Sequence, residues 1–111
     1  MQKWKKWRCN TISEINRTIN GYHIYIGGTW CEVTKNCDHI YDGSVEEGMT
    51  AEDVYRQITK EVVFSYAGKE IWAYDWLHEF SGERQATREN LAAENNCNVE
   101  DIKVSFRYEK I

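Results

Sequence analysis

The run Tyr22-His23-Ile24-Tyr25-Ile26, Gly27-Gly28, Thr29-Trp30-Cys31-Glu32-Val33 constrains this chain more than any other feature. Two alternating, aromatic and β-branched segments flank a pair of glycines, which supply the positive φ angles of a two-residue hairpin turn. A turn at Gly27-Gly28 sets Ile26 opposite Thr29, Ile24 opposite Cys31 and Tyr22 opposite Val33, one largely apolar face. On the other face it sets Tyr25 against Trp30 and His23 against Glu32, an aromatic pair and an ion pair. Asn20-Gly21 is a second turn signal, and it predicts a preceding strand over about Glu14 to Ile19. Arg17 sits awkwardly between Ile15 and Ile19 in that strand. A short helix through Ile12, Ile15 and Ile19 fits the spacing too, but Thr11, Asn16 and Thr18 make poor helix.

Further along, Asp38 to Gly48 is polar and reads as a loop. Thr50 caps a helix with Glu52 and Asp53 in its first turn, and Val54, Ile58 and Val62 form its apolar stripe. That helix is expected to fade near Phe64 to Tyr66. A second is predicted over Lys69 to Phe80 from the stripe Trp72, Trp76 and Phe80, with a hairpin through Ala67-Gly68 as the alternative for its first half. A third covers Glu83 to Asn95. The end alternates strictly, with Ile102, Val104, Phe106 and Tyr108 on one side and Lys103, Ser105, Arg107 and Glu109 on the other, which is a half-buried strand.

The expected fold is therefore α+β: a small antiparallel β-sheet, made of the N-terminal meander plus the C-terminal strand, covered on one face by two or three helices. With 111 residues, residues 1–111 are expected to make a single domain. No run approaches the ~18 apolar residues of a membrane-spanning helix, so no membrane partner is expected. The charges of the first eight residues are followed by Asn10, Thr11, Ser13 and Glu14 rather than an apolar core, so the expected location is cytoplasmic. The four cysteines, Cys9, Cys31, Cys37 and Cys97, are accordingly expected as reduced thiols.

Chemistry is thinly signalled. Cys31, Cys37 and His39 are the candidate metal ligands, two thiolates and an imidazole suited to zinc, with Cys9 or Cys97 to complete the set. Their spacing lacks the tight C-x2-C loop, and burial of Cys31 as a small hydrophobe is the simpler reading. No nucleophile elbow, phosphate loop, dinucleotide fingerprint or paired-histidine metal motif is present. No catalytic residue and no cofactor is assigned, and a small metal-dependent enzyme stands as a third reading of function.

Charge is the more useful clue. Trp4, Lys5, Lys6, Trp7 and Arg8, with Lys3, form a basic, indole-bearing arm that could contact phosphates and stack on bases. That makes a nucleic-acid-binding accessory the second reading, weakened by a net charge of −4. At the opposite pole, Asp38, Asp42, Glu46, Glu47, Glu52 and Asp53 occur with no lysine or arginine among them. The first reading is a non-enzymatic protein-interaction or inhibitor domain that docks this acidic surface on a basic, nucleic-acid-binding partner. Small phage and plasmid accessory proteins offer the analogy. Its candidate contacts are Tyr25, Trp30, Asp42, Glu46, Glu47 and Asp53, and an uncovered sheet edge could also pair two copies.

Overall fold

The computed structural model describes residues 14–111. It has two antiparallel sheets, of four and three strands, and two α-helices, which makes the chain α+β. The chain divides after Arg56 into two compact units.

In the first unit β1 (Glu14–Ile19), β2 (Tyr22–Gly27), β3 (Trp30–Lys35) and β4 (Asp38–Ser44) form a meander in sequence order. Asn20-Gly21 turns β1 into β2 with φ of 48° and 86°, the doubly positive geometry of a primed turn. The β2–β3 register corrects the sequence expectation. Gly28 and Thr29 make the turn, so Gly27 faces Trp30, Ile26 faces Cys31, Tyr25 faces Glu32 and Ile24 faces Val33. Tyr25 thus does not oppose Trp30, nor His23 Glu32; His23 opposes Thr34. The slide is by two positions along the pair, so every side chain keeps its face. It also matches Ile26 with Cys31 and Ile24 with Val33, all buried, where the expected register left Ile26 against a threonine.

Asp38 to Ser44 is a strand, not part of a loop. Asn36 and Cys37, at φ of 53° and 68°, form a third two-residue turn. A half-solvated antiparallel strand is half polar by nature, which is why composition alone misreads this one. Val33 faces Tyr41 while Thr34 faces His39, so Ile40 is an extra residue, a β-bulge.

The helix α1 spans Ala51–Thr59. Thr50 and Asp53 cap it reciprocally: the Thr50 N–H donates to Asp53 Oδ2 at 2.9 Å, and the Asp53 N–H donates to Thr50 Oγ1 at 3.2 Å. Ala51, Val54, Tyr55 and Ile58 are its buried positions, at i, i+3, i+4 and i+7. Tyr55 accepts a hydrogen bond from Asn20 Nδ2 at 2.9 Å and meets the Tyr22 ring edge-on, while Glu52 pairs with Arg17. Arg17 therefore has its reason: on the apolar side of β1 it reaches a carboxylate of α1. The helix stops at Thr59 rather than near Phe64 to Tyr66, and Val62 belongs to the next strand.

In the second unit β5 (Glu61–Tyr66) is central, flanked by β6 (Lys69–Asp75) and β7 (Lys103–Arg107). The segment expected as a helix over Lys69 to Phe80 is instead β6 followed by a single 3-10 turn, Trp76–His78. The hairpin alternative holds there, with Ala67 and Gly68 at φ of 52° and 80°. The C-terminal strand pairs with β5 and not with the meander, so the expected one sheet is two. The helix α2 spans Glu83–Glu94 and ends in a Schellman motif. There the Cys97 N–H reaches the Ala92 carbonyl at 3.0 Å, the Asn96 N–H reaches that of Ala93 at 3.3 Å, and Asn96 takes φ of 53°. Val62, Phe64, Leu91, Ala92 and Ile102 form this unit's core.

Candidate functional site

The meander separates two faces by parity. Ile19, Ile24, Ile26, Cys31 and Val33 are buried on one. The other holds Glu14, Asn16 and Thr18 from β1, His23 and Tyr25 from β2, Trp30, Glu32 and Thr34 from β3, and His39, Asp42 and Ser44 from β4. Most of these are exposed, Trp30 to 48%. Among the described residues, no lysine or arginine occupies a position on this open face. Across its centre run Asn16, Tyr25, Glu32 and Asp42 in one row, which sets two carboxylates directly opposite each other. Like charges so placed destabilise a strand pair, by ~0.2–1 kcal/mol.

Two local devices shape the face. The bulge at Ile40 turns His39 and Asp42, three apart in sequence, to the same side, and their side chains meet at 3.0 Å. Gly27 makes room for the Tyr25 ring: a Cβ there would lie 2.5 Å from the Tyr25 hydroxyl. Tyr41 bears the same relation to Gly43 on the other face, at 2.5 Å. The repeated Tyr-x-Gly is the sequence signal for both.

Of the candidate contacts, Tyr25, Trp30 and Asp42 share this face. Glu46 and Glu47 lie elsewhere, on a loop after β4, where with Ile15, Ile26, Thr29 and Met49 they line a groove of about 450 Å³. Asp53 serves α1: bonding from the Thr50 backbone N–H holds its carboxyl below the usual range. Glu52 is engaged by Arg17. The acidic stretch is thus divided among four tasks rather than massed on one surface. Glu14 and Glu32, which the acidic-stretch reading missed, complete the charge of the open face.

Cys31 is buried on β3, its thiol pushed up by burial, while Cys37 is exposed in the turn at the other end of that strand. His39 points to the open face beside Asp42. Cys31, Cys37 and His39 do not come together as a centre, since no group of three or more metal-ligating side chains occurs among the described residues. Cys31, Cys37 and Cys97 are in no disulfide. Trp4, Lys5, Lys6, Trp7 and Arg8, and Cys9, lie outside the described residues. No described helix is long and apolar enough to cross a membrane.

The second unit holds a titratable cluster that the sequence did not signal. Glu79 accepts the Tyr74 hydroxyl at 2.7 Å and two Arg84 nitrogens at 2.9 and 2.7 Å, and the Arg84 bonds hold its carboxyl low. Burial pushes the Tyr74 phenol up, and the Glu79 acceptor adds to it. Nearby Lys60, 7% exposed, has its ammonium 4.4 Å from the Phe106 ring centre and 5.1 Å from that of Trp76. Its Nζ donates to Gln57 Oε1 at 3.0 Å. Tyr74, Glu79 and Arg84 thus form a clamp joining β6, the turn and α2, while Lys60 is held by Gln57 and the two rings.

No family model matches this chain, and no curated protein or solved structure matches it either.

Proposed function

We propose that this chain is a non-enzymatic protein-interaction domain, of inhibitor or accessory type, that docks the open face of β1–β4 on a basic partner. The reading takes α1 to cover the opposite face, which leaves this one for a partner, and it takes the setting to be the cytoplasm. The supporting observation is the row Tyr25, Glu32 and Asp42 beside Trp30. Two facing carboxylates, with no lysine or arginine on their face among the described residues, favour an incoming cation, and exposed Tyr and Trp are common anchors of interfaces. A partner that itself binds nucleic acid fits this chemistry, since its phosphate-binding cations would be the ones engaged.

The test separates binding from stability. In Glu32→Lys the lysine faces Asp42, so the like-charge pair becomes an opposite one and thermal stability is expected to hold or rise. Affinity capture from a native lysate should recover a basic protein with the parent chain and lose it with Glu32→Lys and with Trp30→Ala. Unchanged recovery by both variants overturns the reading. So does a loss seen only with Glu46→Lys/Glu47→Lys, which would move the contact to the loop.

A further inference from the structure

A second surface, in the other unit, carries its own recognition chemistry. Trp72 on β6 lies opposite Phe64, whose side chain belongs to the core that Leu91 and Ala92 of α2 complete. A tryptophan at that position belongs under the helix by sequence logic, yet it is 53% exposed. β6 is one of the two edge strands of its sheet among the described residues, and between Trp72 and α2 runs a groove of about 290 Å³. Its other wall is Glu83, Thr87, Asn90, Leu91 and Glu94. The spacings of four, three and four among Glu83, Thr87, Asn90 and Glu94 make one continuous polar stripe along α2, ~16 Å long at the helical rise. Leu91 is 8% exposed and gives the groove an apolar floor.

Three separate features of this groove attract positive charge. The indole face of Trp72 is the best aromatic partner for a cation. Glu94 closes the last turn of α2, which holds no basic residue, so its carboxylate adds to the negative end of the helix dipole where a cation would be expected instead. Glu83 stands at the far end, where one carboxylate oxygen accepts the Phe80 N–H at 2.8 Å. The arginines of α2 do not answer these acids: Arg84 is held by Glu79, and Arg88 donates to the Val99 carbonyl at 3.2 Å.

We propose that the groove between β6 and α2 binds an extended, basic peptide segment of a partner protein, with a lysine or arginine side chain on the Trp72 indole. At the rise of an extended chain, ~16 Å accommodates about five residues. The basic side chains at alternate positions of such a segment fall on one side and reach the indole and the carboxylates at the two ends of α2. Thr87 and Asn90 supply the neutral hydrogen-bonding groups between them. This surface shares no residue with the open face of β1–β4.

The proposal is tested on the full chain by NMR titration with two synthetic blocked pentapeptides, Lys-Thr-Lys-Thr-Lys and Glu-Thr-Glu-Thr-Glu. The indole N–H resonance of Trp72 is assigned from Trp72→Phe. The lysine peptide should shift that resonance and the amides of residues 83–94, and the glutamate peptide should not. Trp72→Leu should weaken binding about fivefold to tenfold. Glu94→Gln, on an exposed last turn where loss of the charge does not harm the helix, should weaken it about threefold and flatten its salt dependence. Glu32→Lys should leave it unchanged. The proposal is overturned by an absence of shifts, by equal response to the two peptides, or by shifts confined to β1–β4. Unchanged affinity in Trp72→Leu and Glu94→Gln, with their spectra otherwise intact, overturns it as well.

Discussion

Gly28 holds φ at +63° with open space where a Cβ would sit, so alanine there meets no atom and still strains the backbone. Gly27 is the reverse case. Its φ is not in the left-handed region, and an added Cβ would meet only the far end of the Tyr25 side chain. Gly28→Ala is therefore expected to lower stability by about 1 kcal/mol. Gly27→Ala should cost less and should instead displace the Tyr25 ring. Urea unfolding of the two variants, with the Tyr25 ring resonances followed by NMR, checks both halves. A turn placed on Gly27-Gly28 would make both substitutions strained, so equal losses would contradict the observed register.

At the scale of the element, the capping box of α1 is the feature whose energetics can be separated most cleanly. Thr50→Ala removes the acceptor for the Asp53 N–H and should cost about 1 kcal/mol. Asp53→Ala removes the acceptor for the Thr50 N–H, and because the two bonds close one ring the double variant should cost less than the sum. The Asp53 carboxyl, held below its ordinary value of 3.8 by the Thr50 backbone N–H, contributes fully above that value. Its contribution fades as pH falls through the lower folded value, so the cost of Asp53→Ala should shrink in acid; a cost independent of pH would contradict the assignment. This cap was legible because Thr50 and the carboxylates after it are a local pattern. Other elements were not, for a definite reason. Val54, Ile58 and Val62, and likewise Trp72, Trp76 and Phe80, recur every four residues, and four is a multiple of the strand period as well as close to the helical one. Such a stripe fits either state. The turns decide between them, and two of those turns place Cys37 and Ala67 at positive φ, where asparagine or glycine is the usual signal. The open face was half legible for the same reason: Tyr25 and Trp30 alternate clearly, whereas Asp42 joins them only once Asn36-Cys37 is seen to start a strand.

For the molecule as a whole, the two sheets differ in how far along the chain their partners lie. Every pairing in the meander joins neighbours in sequence, and hairpins of that kind close at small entropic cost. The second sheet needs residues 61–65 to pair with 103–107, across β6 and α2. Ile102, fully buried, arrives with β7 and completes the cluster of Val62, Phe64, Leu91 and Ala92. Removal of so buried an isoleucine alone typically costs ~2–5 kcal/mol, a large share of what a domain this small has. A chain ending at Asp101 should therefore lose amide protection throughout β5, β6 and α2, while the amides of β2 and β3 remain slow to exchange. Hydrogen exchange read by NMR distinguishes this from the alternative, in which all strands lose protection together and the chain behaves as one cooperative domain. In that case the meander would depend on the second sheet for its own stability. The binding proposed at the open face would then be abolished by the truncation, instead of persisting with the β1–β4 face intact.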